Sequence, residues 1–470
     1  MIWNLEQYKN KTAVIDEFGA VVTYADLKRE TEKISAYINR RCLLFILCQN
    51  VIGSVVGYIS FVNAKIPAIL LNCHLEKDLL TNLLSIYQPS YLWVPSEQAN
   101  QFINMDIVYS VYQYSLLKTN YKKNYELYPE LGLLLTTSGS TGSPKLIRQS
   151  YTNIRSNAES IAQYLELDET ERPITTLPMN YTYGLSIINS HLLVGATLLL
   201  TDKSLMQKEF WSFFQEAKAT SFGGVPYTYE MLERIHFQRM RLPSLRTMTQ
   251  AGGKLTPELH KKFAEYAQSV GKKFIVMYGQ CEATARMGYL PADKSAEKYG
   301  SMGIAIPGGK FRLIDAKGLE IKEPYVTGEL VYEGNNVTLG YAQCGDDLRK
   351  GDELHGVLQT GDMAQFDEDN YYYIVGRKKR FLKIYGNRVN LDETERLIKE
   401  RFQNIDCAST GVDDHMYLFI TDASIAGDVN EYIVYKTKLN PAAFKVIIIN
   451  EIPKNDSGKT LYKELEKYFN

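Results

Sequence analysis

A chain of 470 residues, 45% hydrophobic and 23% charged, is too apolar for a disordered polymer and too charged for a membrane-embedded one. Lys and Arg number 53 against 54 Asp and Glu, so the net charge of −1 supplies no global field for nucleic acid or anionic lipid, and any anion site must be local. The length exceeds what one compact core fills, and at least two domains are expected.

Short apolar or β-branched runs at 13–15, 43–48, 69–71, 131–135, 197–201 and 274–277 alternate with longer amphipathic stretches, the α/β pattern of strands covered by helices. The most apolar region, 43–71, is interrupted by Gln49, Asn50, Ser54, Ser60, Asn63 and Lys65, and reads as strand, buried helix and strand rather than a membrane span. From about Gly303 to Tyr373 short strands and glycine turns predict a small β-rich subdomain. A basic KKR run follows Arg377, then Asn390 and Glu393 at the spacing of a helix capping box, and a last short helix with Leu461, Leu465 and Tyr468 on one face. Cysteines at 42, 48, 73, 281, 344 and 407 form no CxxC pair and no zinc spacing, and no secretory signal precedes them; reduced thiols in a cytoplasm are the simplest reading.

The run LLLTTSGSTGSPK ends a strand in glycines, hydroxyls and a lysine, the ingredients of a phosphate cradle. It is not a P-loop, because Gly139 and Gly142 are three apart and Pro144 precedes Lys145; a plain strand-to-helix connection is the other reading. A second lysine motif, PKNDSGKT at 453–460, has Pro453 where a P-loop has its first glycine, and only ten residues follow Thr460. Lys459 therefore sits on a loop before a terminal helix, either solvated or available to another site.

Together these segments resemble the superfamily of adenylate-forming enzymes, which includes acyl-CoA synthetases, nonribosomal peptide adenylation domains and firefly luciferase, and among them the acyl-CoA and acyl-carrier-protein ligases. The match runs in order through TSGSTGSPK at 137–145, GG at 252–253, YGQCEAT at 278–284, TGD at 360–362, YIVGR at 373–377, LKIYGNRV at 382–389 and PKNDSGKT at 453–460. The resemblance implies an α/β fold. A large N-terminal domain, residues 1–378, would hold two α/β subdomains and the β-rich subdomain, followed by a small mobile α+β domain, residues 379–470, hinged at Lys379. It implies ATP-dependent activation of a small carboxylic acid to an acyl-adenylate with release of pyrophosphate. Transfer to a phosphopantetheine thiol follows, on coenzyme A or an acyl carrier protein, by a tunnel beside Gly386.

In that scheme Thr137, Ser138, Gly139, Ser140, Thr141, Gly142 and Lys145 close over the β- and γ-phosphates, and Gly252, Gly253, Gly279 and Cys281 belong to the nucleotide site. Glu282 holds Mg²⁺, Tyr278 stacks on adenine, and Asp362 and Arg377 meet the ribose. Lys459 is the catalytic cation for the α-phosphate and the substrate carboxylate. The plainer readings are a core tyrosine for Tyr278, a structural ion pair for Asp362 and Arg377, and a member of a solvated basic run for Lys379.

Relatives usually carry threonine at the place of Cys281, whose thiol is a weak donor; a small buried cysteine is the reading preferred over a reactive one. Tyr181 stands where amino-acid-activating members place an aspartate, so a simple α-amino acid is disfavoured as substrate. Tyr183, Val225, Pro226 and Tyr229 join it as an expected acyl-pocket wall, fit for a small, aryl or hydroxylated acid, with core packing the alternative for each. Lys378, Arg380 and Lys383 are candidates for the phosphates of coenzyme A or an acidic carrier helix. Two rivals stay open: a free-standing adenylation enzyme serving an amine or alcohol, and a non-catalytic nucleotide-binding module, which has no need of both Glu282 and Lys459.

Overall fold

The computed structural model describes residues 2–136, 145–378, 380–385, 387–402, 405–454 and 460–469. Contacts divide the chain into two compact units, residues 1–310 with 333–358, and residues 311–332 with 359–470. Compactness and the place where a chain swivels are separate properties, so this grouping neither meets nor opposes the expected boundary at 378/379.

The first unit holds two large sheets. In the nine-stranded sheet, Thr12–Asp16, Leu198–Leu200, Pro173–Ile174, Ser221–Gly224, Thr247–Gln250 and Lys273–Tyr278 run parallel, and short antiparallel strands close both ends. The eight-stranded sheet has a parallel centre of Tyr91–Pro95, Leu44–Cys48, Ala68–Asn72 and Leu131–Thr136. Two helices that are apolar almost all round, Ile52–Asn63 and Thr182–Leu193, are buried nearly throughout, as expected for helices covered on every side. Their Ile59 and Ile188 share one cluster with Val14 and Leu198 of the first sheet and Leu44 and Ile46 of the second, so a continuous core joins the two sheets. The apolar stretch at 43–71 is strand, buried helix and strand, and no described helix is long and apolar enough to cross a membrane.

The loop that follows Leu131–Thr136 does not lead to a helix. It joins that strand to Leu146–Ser150, which returns antiparallel with Leu134 opposite Arg148 and Thr136 opposite Leu146. The strand-to-helix reading missed this because Arg148, Gln149 and Ser150 look like surface residues, yet all are buried: Arg148 is 0% exposed and its guanidinium meets the carbonyls of Leu339, Tyr341, Lys350 and Gly351 and the carboxylate of Glu353. Ser150 then caps the next helix, Tyr151–Tyr164, reciprocally with Asn153.

The second unit contains most of the β-rich sheet, ordered Glu320–Ile321, Gly309–Ile314, Gly328–Gly334, Val357–Phe366 and Tyr372–Arg377. Beyond it lie the hairpin Phe381–Ile384 and Asn387–Asn390, the helix Leu391–Arg401, a three-stranded sheet and the helix Ala426–Thr437, an α+β arrangement. Asn390 caps its helix by accepting from the Asp392 and Glu393 amides, but Glu393 pairs with Arg396, so half of the expected capping box forms. The terminal helix is shorter than expected, Tyr462–Leu465 followed by a 3₁₀ turn, with Leu465 its buried residue.

Candidate active site

Within the first unit the expected residues gather where the strand Lys273–Tyr278 leaves its sheet, at the carboxyl end typical of ligand sites in open α/β sheets. The chain reverses at Gly279, where an added Cβ would lie 1.7 Å from the Ala285 carbonyl, and the Met287 amide returns to the Tyr278 carbonyl at 2.9 Å. Only glycine allows that approach. The reversal holds a 3₁₀ turn, Cys281–Ala283, fixed by the Thr338 amide and hydroxyl, which both donate to the Glu282 carbonyl at 3.0 Å.

The Glu282 carboxylate accepts from the Tyr341 hydroxyl at 2.8 Å, and the Lys145 ammonium stands 3.7 Å from the centre of the Tyr341 ring. Burial, then the neighbouring Glu282 charge, pushes the Tyr341 phenol well above its ordinary pKa, so it remains a neutral donor. Sheet register explains the meeting: Gly340–Ala342 pairs antiparallel with Leu146–Ser150, setting Tyr341 opposite Ile147, two residues after Lys145. Tyr341 belongs to no motif, and its sequence neighbourhood gives no signal of this role. Cys281 lies with its sulfur 3.4 Å from the Thr182 hydroxyl, and Gln280 donates to the Tyr278 hydroxyl at 3.4 Å.

The GG turn and part of the expected acyl wall are in contact. Gly252 has φ +85°, and a Cβ on it would stand 2.7 Å from the Tyr181 hydroxyl and 3.1 Å from Val225; one on Gly253 would meet Pro226 at 2.9 Å. Burial pushes the Tyr181 phenol up to about 12. Tyr183 lies deeper, its hydroxyl 2.9 Å from that of Thr249, with the Arg286 guanidinium 3.8 Å over its ring. Tyr229 is a core residue beneath this wall: it is fully buried, donates to the Thr249 carbonyl and packs on Phe263 and Phe274. Arg286 was not singled out by sequence reasoning, although it follows YGQCEAT by two positions.

In the second unit, strand register sets Asp362 directly opposite Arg377. Arg377 Nε is 3.4 Å from the Asp362 carboxylate, which is buried while the arginine is exposed, an arrangement open to either a ribose site or an ion pair. The basic run is not the free patch expected. Lys378 binds Glu329 at 2.7 Å, and Arg380 is held by Asp392 and Glu395 at 2.6 Å each and stacks 3.7 Å over Tyr462, which also donates to Glu395. Arg380 is thus an internal tie of the C-terminal residues, and burial of a guanidinium requires such partners. Thr137, Ser138, Gly139, Ser140, Thr141, Gly142, Lys379, Gly386 and Lys459 lie outside the described residues.

Among the described residues no group of three or more His, Cys, Asp or Glu gathers to hold a metal. A lone carboxylate such as Glu282 suits Mg²⁺, which keeps waters and takes further oxygens from a nucleotide's phosphates.

The profile of the family described as AMP-binding enzyme matches residues 2–342. Among curated proteins, the 4-hydroxybutyrate–CoA ligase 1 of Metallosphaera sedula is 29% identical over 350 residues, covering 70% of this chain and 61% of its own length. The oxalate–CoA ligase of Arabidopsis thaliana is 29% identical over 357 residues, with 73% and 68% covered. The chain therefore spans only around two thirds of the length of such relatives. The structure of the o-succinylbenzoate CoA synthetase from Bacillus subtilis in complex with its acyl-adenylate intermediate superposes with a TM-score of 0.79 at 22% identity, covering 98% of this chain and 96% of that one. At that identity the likeness concerns the fold.

Proposed function

Because the chain belongs to the AMP-binding enzyme family, we propose that it activates a small carboxylic acid with Mg-ATP, forming an acyl-adenylate and pyrophosphate, and then transfers the acyl group to the thiol of coenzyme A. The observation that carries this reading is the Lys145, Tyr341 and Glu282 cluster, which places a cation and a carboxylate on one phenol beside the acid wall.

An anionic acid must approach a polyanionic nucleotide, so the residues around the α-phosphate have to offset charge in the pentavalent transition state. Lys145 and the 137–142 loop bind the β- and γ-phosphates. Glu282 is the residue that would hold Mg²⁺, which when bound offsets charge on phosphate oxygens. Asp362 and Arg377 receive the ribose, and Tyr278 lies against the adenine. Tyr181, Val225 and Pro226 shape a wall without a carboxylate, which disfavours an α-ammonium. Residues 379–470 turn about Lys379 between the two half-reactions, withdrawing Lys459 after adenylation and bringing the Gly386 segment to the thiol. A cytoplasmic enzyme is part of this reading, and the six cysteines, all free, are in keeping with a reducing compartment.

The test is pyrophosphate release over an acid panel, alone and with coenzyme A, a carrier protein, an amine or an alcohol. Release without thioester formation would support a free-standing adenylation enzyme, and no ATP-dependent release with any acid would remove the enzymatic reading. Lys459→Ala is expected to bind ATP but to lose adenylation by about 100-fold or more; adenylation at the original rate would show that the charge lies elsewhere.

A further inference from the structure

A narrow cavity runs along the helix Thr182–Leu193, lined among others by Leu165, Ser186, Ser190, His191, Met277 and Arg286. Tyr183 separates it from the expected acyl wall: its hydroxyl bonds to Thr249 and its ring faces Arg286, both on the cavity lining, and it packs in one apolar cluster with Tyr181 and Val225. Tyr183 and His191 are eight residues apart, about 12 Å along a helix axis. Arg286, over the Tyr183 ring, therefore marks the end next to the wall, and His191 the far end.

Arg286 is 3% exposed, yet its Nε has no hydrogen-bond partner, and no carboxylate forms an ion pair with it among the described residues. The other deeply buried arginine of this unit, Arg148, has four carbonyls and Glu353 around it. The Tyr164 phenol and the Tyr183 ring both meet the guanidinium, but neither carries a charge, so the buried cation is incompletely compensated. The groups around it are already engaged. Tyr183 is bonded to Thr249, the Tyr164 hydroxyl points to the Met277 sulfur at 3.0 Å, and Glu171, the carboxylate on the cavity lining, receives the Thr220 hydroxyl and lies 3.2 Å from Arg246.

Resting on the acid-activating function above, we propose that the acid activated here carries a second carboxylate, and that Arg286 is the specificity-determining residue that receives it. A planar guanidinium whose Nε–H lacks a partner and that has no carboxylate beside it among the described residues matches a carboxylate in charge and geometry. The second carboxylate belongs at Arg286 rather than at the far end. There, Nδ1 of His191 donates to the Ile187 carbonyl at 2.8 Å and Nε2 presents a lone pair without a donor, which an anion would oppose. The cavity beyond Arg286 is tight, so the acid is a short one whose second carboxylate ends at the Tyr183 ring.

The test uses the full-length protein in pyrophosphate exchange with matched short acids: a dicarboxylic acid, its half-amide, its ω-hydroxy analogue and the monocarboxylic acid of equal length. The expected result is a kcat/KM for the diacid about 100-fold or more above each neutral analogue. In Arg286→Gln the ratio should fall to within about threefold of one, and Arg286→Lys should restore part of it. If the original protein uses the hydroxy or plain acid as well as the diacid, or if Arg286→Gln lowers all acids alike, the inference is overturned while acid activation stands. If no acid supports exchange, the function above fails and takes this inference with it. Should Arg286→Gln not fold, the panel on the original protein still decides.

Discussion

The phenol of Tyr341 meets a carboxylate with its hydroxyl and an ammonium with its ring face, and one substitution separates the two. Tyr341→Phe keeps the ring beneath Lys145 and deletes the donor to Glu282. A neutral hydroxyl bonded to a carboxylate contributes about 1.5 kcal/mol or somewhat more, so adenylation should fall by about tenfold. If the hydroxyl aims Glu282 at a metal, the Mg²⁺ concentration for half-maximal rate should rise along with that loss. Initial rates across a magnesium titration check it, and an unchanged magnesium requirement would show that Tyr341 only packs. Glu282→Gln leaves the phenol a neutral acceptor and removes the charge, so it should cost much more, about 100-fold or beyond in rate.

At the scale of elements, the turn at Gly252 touches Tyr181 and Val225 of the proposed acid wall, and Gly271 supplies its control. Both have positive φ, +85° and +66°, but a Cβ at Gly271 meets nothing within 4 Å, whereas one at Gly252 meets Tyr181 at 2.7 Å. Each alanine should lower stability by about 1 kcal/mol through backbone strain. Gly252→Ala alone should also raise the KM for the acid, since Tyr181 must move; equal kinetics in the two variants would separate the turn from the wall. The strands around these turns were legible because a buried parallel strand is a continuous apolar run, as at 44–48 and 68–72. Leu146–Ser150 was not, because its buried Arg148 and Gln149 look exposed to any reading that ignores carbonyls nearly 200 residues away. The same blindness hid Tyr341 and Arg286, whose roles arise from tertiary neighbours. It also made Arg380 look like a surface cation and Tyr229 like a pocket residue: a basic run does not reveal its acidic partners, and apolar periodicity does not distinguish a core tyrosine from one lining a cavity.

At the scale of the whole molecule, two neutral buried imidazoles make the first compact unit sensitive to mild acid. Burial pushes both His191 and His260 down to about 4 from an ordinary 6.5. His191 donates from Nδ1 to Ile187, while Nδ1 of His260 accepts the Gly300 amide at 3.0 Å, so each fold position suits the uncharged ring. Because the folded pKa lies below the unfolded one, the unfolded chain binds protons first as pH falls through 6.5. The stability these rings contribute is therefore complete above about 6.5 and is lost between there and 4, with a slope approaching about 1.4 kcal/mol per pH unit for each ring. Asp202, whose carboxyl burial raises, acts in the opposite direction and softens the lower part of the fall. All three tryptophans, Trp3, Trp93 and Trp211, lie in this unit, so urea unfolding followed by tryptophan fluorescence reports it without interference from the other. Between pH 7 and 4.5 the unfolding free energy should drop by about 2–4 kcal/mol, and replacing His260 with Gln should reduce the slope by roughly half. A free energy that stays level over that range would mean that the imidazoles take up protons in the folded state, which their burial opposes, as does the Gly300 amide already donated to Nδ1 of His260.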